Sequence, residues 1–441
     1  MEKTMDSKSI KNAFLSFFEN NGHKIIQGSS LLPKGDLTLL FINSGMAPMK
    51  SYFTGAAAPP HPRLANIQPC IRTNDIDDVG DMHHLTFFEM LGSWSINDYY
   101  KEDAIAFAYK LLTQGLKIDP NRLYFSVYSG NPDLGLSFDD LAYKAWQDAG
   151  VPKEKIIALG DEDNFWGPAG GEGPCGPCTE VFIDTGVPGD ENSYELTGNF
   201  DTKNRYVEIW NAGVFMEFYK DKAGVFSKLK QHNVDTGAGL ERLTMALNGL
   251  SSVYETDIYQ GLNEVINSAT SQVLVLDQEV KAKRIIADHM RAVTFILAEG
   301  VLPDKNREGY IPRRLIRRCV AANSRLNIEN FPYNDAIDAV LDYAGDDYPH
   351  LKNNADIIKT LVMNEEVGFS KTIRMGEKAI KKVITQGGSV ISGQNAFNLT
   401  ASHGIPLDIL LTMVEQQGGT IDVNGYNDAM KDHRNISRNP K

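Results

Sequence analysis

Residues 235–242 read Asp-Thr-Gly-Ala-Gly-Leu-Glu-Arg, and they limit what this chain can be more than any other stretch. Gly237 and Gly239, with one residue between them, let the backbone come close to a ligand. The run LERLTMAL that follows has helical spacing, so the turn opens a helix whose first N–H groups suit a phosphate or a carboxylate. Arg242 is placed to lie against a planar base or to reach a phosphate. Asp235, just before the turn, is placed to hold an ammonium group. The plain alternative is a strand–turn–helix junction with Glu241 and Arg242 paired at the surface. For a bare G-x-G that alternative is the better one, so the case depends on what else the chain carries.

Composition narrows the field. With 441 residues, 42% hydrophobic and 23% charged, the chain reads as ordinary globular protein of two or three domains. The opening MEKTMDSKSIKNAF is polar, with no apolar signal core, and no run of roughly 18 apolar residues occurs, so no membrane span is expected. Four cysteines are too few for a disulfide scaffold and favour a reducing compartment, the cytoplasm by default. A net charge of −13 argues against a protein coated in nucleic acid; any RNA contact must use a local basic face. No repeat of solenoid period is visible.

Residues 7–22 read as an amphipathic helix with Ile10, Phe14, Phe17 and Phe18 on one face, capped by Ser7 or Ser9 and ended by Gly22. The runs 37–42 (LTLLFI), 85–91 and 206–219 are strand-like, and 160–200 is rich in loop formers. From about 254 the pattern is helical. Ile285, Ile286, His289, Val293 and Ile296 share one helix face, and Ile358, Val362, Phe369, Ile373 and Ile380 predict one long packed helix. The expected fold is α+β over residues 1–250, then a mostly helical domain over 251–441.

Two further pieces precede the glycine turn in order. Arg72 stands in CIRTND, and His84 is followed four residues later by Phe88. An arginine on one strand, a loop, then His and Phe on the return strand resemble the second signature motif of class II aminoacyl-tRNA synthetases, and Gly237–Arg242 resembles the third, G-x-G-x-E-R. LTFFEMLGSWS, DNFWGPAGGEGPCGPCTE, VEIWNAGVFMEF, VDTGAGLER, RIIADHMRA and GYIPRRLIRR, spread in order over nearly the whole chain, are similar to the alanyl-tRNA synthetase family.

The resemblance implies an antiparallel sheet flanked by helices and a helical acceptor-stem-binding domain. It implies ATP with Mg2+, L-alanine and tRNA(Ala) as ligands, alanyl-adenylate as intermediate, and AMP and pyrophosphate as products. Arg72 and Arg242 would offset charge at the phosphates. Phe88 and Arg242 would sandwich adenine, with His84, Asp75 and Gly239 around the nucleotide and Glu208 helping to place magnesium. Trp166 would wall a small amino-acid pocket, Asn211 would bind the substrate carboxylate or backbone region, and Asp235, beside Gly237, the ammonium. Arg284, Arg291, Arg313, Arg314, Arg317 and Arg318 would track RNA phosphates on a helix opened by Pro312. Asp408, with Asn306 or Arg307, would read a G·U pair. Each of these residues has a plainer reading alone: surface arginine, core aromatic, cap or turn.

Cys175-Gly-Pro-Cys178 has no His or Cys in the next fifty residues, His232 being the next, so a structural turn is expected rather than zinc. The chain departs from the family in its short loop RTNDIDDVG, in one extra residue in IWNAGVF, and at KNREGY. A ligase that passes alanine to a non-tRNA acceptor is the alternative. The family's editing domain and oligomerising tail are not in the sequence, so a monomer without cis hydrolysis of seryl-tRNA is expected.

Overall fold

The computed structural model describes residues 5–36, 38–186, 205–270 and 277–438. The chain forms two compact units, Met1–Asp77 with Met82–Gln260, and Asp78–Asp81 with Gly261–Lys441.

The first unit is built on a mixed sheet. Its order is β1 (Lys24–Ile25), β2 (Arg63–Ile71), β3 (Phe87–Ile96), β9 (Phe226–Gly239), β8 (Tyr206–Lys220), β7 (Gly173–Asp184), β4 (Leu123–Tyr128) and β5 (Ile156–Leu159), with β6 (Phe165–Trp166) against β7. The inner pairings are antiparallel, as expected, and the outermost two, β1–β2 and β4–β5, are parallel. Every residue of β3 is buried, because β3 runs between β2 and β9 in the middle of the order. Helix α1 (Ser7–Asn20) turns Ile10, Phe14 and Phe18 inward. The Phe14 and Phe18 rings lie 6.0 and 6.3 Å from that of Trp210.

Three local expectations are corrected. The α1 cap is Asp6, whose carboxylate accepts the Ser9 N–H at 2.7 Å; a charged acceptor outcompetes a hydroxyl at a helix N-terminus. Ser7 turns inward and donates to Asp257 at 2.7 Å. Within the apolar run 37–42, residues 38–42 form no strand. Asp36 takes the Thr38 N–H at 2.8 Å and Ile42 bonds singly to Leu31 and Ile71, so local bonding replaces a ladder. Cys175 and Cys178 stand in β7, where the pairing with β8 slips between them. The irregularity is therefore a bulge inside a strand and not a turn. Gly176 permits it, since a Cβ there would overlap the Phe215 carbonyl oxygen. All four cysteines are free and buried. The loop-rich stretch 160–200 contains β7, and its residues 187–200 lie outside the described residues.

The second unit is helical. Helix α2 (Leu240–Leu247) closes the first unit, and the second uses α3 (Asp277–Ala298), α4 (Tyr310–Arg325), α5 (Ala355–Gly387) and α6 (Leu407–Gln416). The expected faces hold. Ile286, His289, Val293 and Ile296 are buried on α3, with Ile285 half-buried, and Ile358, Val362, Phe369, Ile373 and Ile380 are buried on α5. No described helix is long and apolar enough to cross a membrane.

The bulge gives a direct test. Gly176→Ala must displace the β8 backbone, and overpacking of this kind costs ~1–3 kcal/mol or more. A melting temperature several degrees lower by calorimetry is expected, whereas an unchanged melt would show that the bulge tolerates a side chain.

Candidate active site

The sheet register brings the two glycine-turn halves together. Along β3 and β9, Trp94 faces Asp235, Gly92 faces Gly237 and Met90 faces Gly239. A Cβ at Gly237 would lie 2.7 Å from Met90 Sδ, so a side chain there would have to push Met90 aside. Glu241 is fully buried and accepts the Glu89 N–H through both oxygens at 3.2 and 3.3 Å. Lys11 of α1 pairs with the Glu89 carboxylate at 2.6 Å. Glu241 and Arg242 are therefore not a surface pair. Glu241 fastens α2 to β3, and Arg242 turns the other way, onto the Glu208 carbonyl and carboxylate, each at 3.3 Å.

Arg72, Asp75, His83, Phe88, Glu208 and Arg242 line one cavity of about 60 Å³. Arg72 and Asp75 also line a larger one, about 580 Å³, with Trp166 and Pro168 on its wall. Arg72 is held by the Asn43 carbonyl at 3.5 Å, and its guanidinium lies 4.9 Å from the Phe88 ring centroid. Phe88 and Arg242 share the small cavity, as the adenine sandwich requires, but the cation stacked on Phe88 here is Arg72. His83 lines the cavity; the His84 ring packs on it with centroids 4.6 Å apart, and the His84 carbonyl accepts the Tyr254 hydroxyl at 2.9 Å.

Asp235 is 6% exposed and accepts the Trp94 indole N–H at 2.7 Å. Burial raises its pKa to about 7, offset only partly by Trp94. A carboxylate held in that state lacks a cation, which a bound ammonium would supply.

Sequence reasoning missed Glu180, which accepts from Asn211 Nδ2 at 3.1 Å. Burial, then the Glu208 and Asp163 charges, push its pKa well above the usual carboxylate range. Its place in GPCGPCTE was the available signal, but the C-x-x-C pattern in the same run points to the thiols instead.

In the second unit the arginines do not form an open phosphate track. Arg291 is 1% exposed. Arg284 donates to the Gly80 and Asp81 carbonyls at 3.3 and 3.1 Å. Arg313 and Arg317 share Glu365 at 3.3 and 2.6 Å, and Arg314 and Arg318 share Asp408 at 3.2 and 2.9 Å. Burial alone would raise the Asp408 pKa, but the Arg314 and Arg318 charges outweigh it and hold the group ionised. The Arg318 Nε–H donates to His289 Nε2 at 3.0 Å, so Nδ1 carries the imidazole proton toward Asp288, 2.8 Å away. Asn306 and Arg307 are exposed, Arg307 in a left-handed conformation with φ 46°. The cations left exposed without a carboxylate partner among the described residues include Lys371, Arg374, Lys378 and Lys381, one face of α5 by their spacing.

Two arginines converge on one cavity beside a Gly-x-Gly strand end that opens a helix, with the buried Asp235 carboxylate on the same strand. The chain belongs to the family described as tRNA synthetases class II (A), whose sequence profile matches residues 9–441. It is 39% identical over 438 residues to the alanine–tRNA ligase of Dehalococcoides mccartyi, covering 99% of this chain and 49% of that protein. Identity to the alanine–tRNA ligase of Thermotoga petrophila is 40%, over 98% of this chain and 49% of that protein. For that of Flavobacterium psychrophilum it is 38%, over 98% and 51%. The chain thus spans about half the length of the curated relatives it matches.

The state of Asp235 predicts a sign. A carboxyl with a raised pKa is most stabilising when protonated, so stability falls as pH climbs from its ordinary 3.8 to about 7. Asp235→Asn keeps an acceptor for Trp94 and carries no charge. It is expected to melt higher than the parent at pH 8, with the gap closing toward pH 4. A variant that melts lower at pH 8 would show that the charge is already compensated.

Proposed function

We propose that this chain activates L-alanine with ATP and passes it to the 3′ end of tRNA(Ala). The observation that carries this reading is the convergence of Arg72, Arg242, Phe88 and Glu208 on one cavity beside buried Asp235. The names of the relatives, each an alanine–tRNA ligase, supply the amino acid and the acceptor.

The alanine carboxylate attacks the α-phosphorus of ATP and pyrophosphate leaves. Negative charge grows at the phosphates, and Arg72 and Arg242, fixed by Asn43 and Glu208 beforehand, stabilise it without reorganising. Asp235 takes the ammonium, and its deprotonated form is the one that binds. Trp166 limits the side-chain space, which excludes larger amino acids better than glycine or serine. No general base is needed, because alignment is the main contribution. A ribose hydroxyl of the tRNA then attacks the adenylate carbonyl and AMP leaves.

The donor set fits magnesium. Glu208 is a carboxylate on the cavity wall, 36% exposed, and hard oxygen ligands suit that ion. Magnesium there would neutralise phosphate charge. Within this reading Asp408, ionised between two arginines, is the residue that reads the G·U pair, and the compartment is the cytoplasm.

Amino-acid-dependent ATP–pyrophosphate exchange is the test. Exchange strongest with alanine, reduced at least about 100-fold in Asp235→Ala with nucleotide binding retained, is expected. Exchange with none of the amino acids would sink the reading. Charging of tRNA(Ala) that disappears when its G·U pair becomes G·C separates this reading from alanine transfer to another acceptor.

The exposed α5 cations without a carboxylate partner among the described residues are the better phosphate contacts. Changing Lys371, Arg374, Lys378 and Lys381 together to Gln is expected to flatten the slope of log K against log salt by about 3 for an acceptor-stem duplex. Alanine-dependent exchange should be unaffected. An unchanged slope would return the phosphate contacts to the α4 arginines.

A further inference from the structure

Asn211 has an unbalanced amide. Its Nδ2 donates to Glu180 Oε1 at 3.1 Å. Its Oδ1 is buried and has no hydrogen-bond partner. A buried acceptor left this way costs on the order of 1–3 kcal/mol and is rare in folded proteins. The sheet register shows where it sits. Glu180 of β7 faces Asn211 of β8, which faces Gly237 of β9. Gly237 lines the small cavity and lies two residues from Asp235 on the same strand. Cys178 Sγ lies 4.0 Å from Glu180 Oε1, on the same side of the pair.

An amide can turn over, and then Nδ2 would be the end left for a ligand. Glu180 prevents this. Ionised, it can only accept, so the amide N–H end is drawn to it. We infer that Glu180 is a positioning residue that fixes the polarity of Asn211, presenting Oδ1 to the substrate. An acceptor beside Asp235 fits a donor, and the donor on an amino acid is its ammonium. Asn211 therefore takes an ammonium N–H, as Asp235 does, and does not donate to the substrate carboxylate. Two acceptors on neighbouring strands, Asn211 beside Gly237 and Asp235 two residues before it, would select a primary ammonium with at least two N–H bonds free. This rests on the proposed activation of alanine and names the contact that orients it.

The test is the alanine KM in ATP–pyrophosphate exchange, with the ATP KM and melting temperature as controls. Glu180→Leu removes the acceptor at similar volume and is expected to raise the alanine KM about tenfold, with the ATP KM within about twofold of the parent. Glu180→Gln, which keeps a carbonyl oxygen, should restore most of it. Should the leucine variant fail to fold, a second pair decides. Asn211→Asp alone sets two carboxyl groups against each other and should raise the alanine KM. Combining Asn211→Asp with Glu180→Gln swaps donor and acceptor: the amide introduced on β7 donates to the carboxylate introduced on β8 and leaves that group's other oxygen free. The double variant should therefore recover about tenfold over Asn211→Asp alone. An alanine KM unmoved by Glu180→Leu, or no recovery in the double variant, overturns the inference. Loss of alanine-dependent exchange in the parent chain instead overturns the activity itself and takes this proposal with it.

Discussion

The Glu241 carboxylate on the Glu89 amide holds the rest of the first unit in place. It ties the first turn of α2 to β3 near the start of that strand, at the residue after Phe88. Because Arg242 is next in sequence and leaves the helix on the other side, the same bond that buries Glu241 places Arg242 over Glu208 and into the cavity. Lys11 balances the Glu89 charge from α1, so the N-terminal helix takes part as well. Three charged side chains in a near-dry interior are costly unless mutually satisfied. Here they fix the distance between the strand that carries Phe88 and the helix that carries Arg242. A hydrophobic core would hold those elements together but would not set that spacing to hydrogen-bond tolerance.

The two units handle charge in opposite ways. In the first, Glu89, Asp139 and Glu208 have cation partners, but buried Asp235 and Glu180 bind protons more tightly than free carboxyls do. In the second, each carboxylate of the arginine face serves two guanidinium groups, Glu365 one pair and Asp408 the other. The i,i+4 spacing of the arginines makes this possible, since each acid meets two cations one turn apart. The result is a rigid lattice between α4, α5 and α6, with Asp408 kept charged and oriented.

Much of this was legible in the sequence. The glycine turn, Arg72, Phe88 and Asp235 lie in one short region of the sheet because each belongs to a local pattern that strand pairing then aligns. The buried faces of α3 and α5 followed from spacing alone. What the sequence hid is pairing between distant residues. Nothing near Glu365 or Asp408 marks them as partners of arginines about 50 and 90 positions earlier. His84 was preferred over His83 because the motif counts residues, whereas the fold decides which of two adjacent rings meets the cavity. The bulge at Cys175–Cys178 looked like a turn because Gly and Pro punctuate both. Glu180 carried no pattern of its own until its neighbour across the sheet was known.

The four residues Asp78–Asp81 belong with the helical unit although β2 and β3, which flank them, belong to the sheet. Arg284 holds them through the Gly80 and Asp81 carbonyls. The boundary between the units is therefore crossed three times by the chain, not once. A chimera that exchanged the helical half of this protein for a relative's by a single splice near residue 260 would leave a foreign Arg284 equivalent facing a native 78–81 segment. The exchangeable module is discontinuous, and the short segment must travel with the helices that grip it.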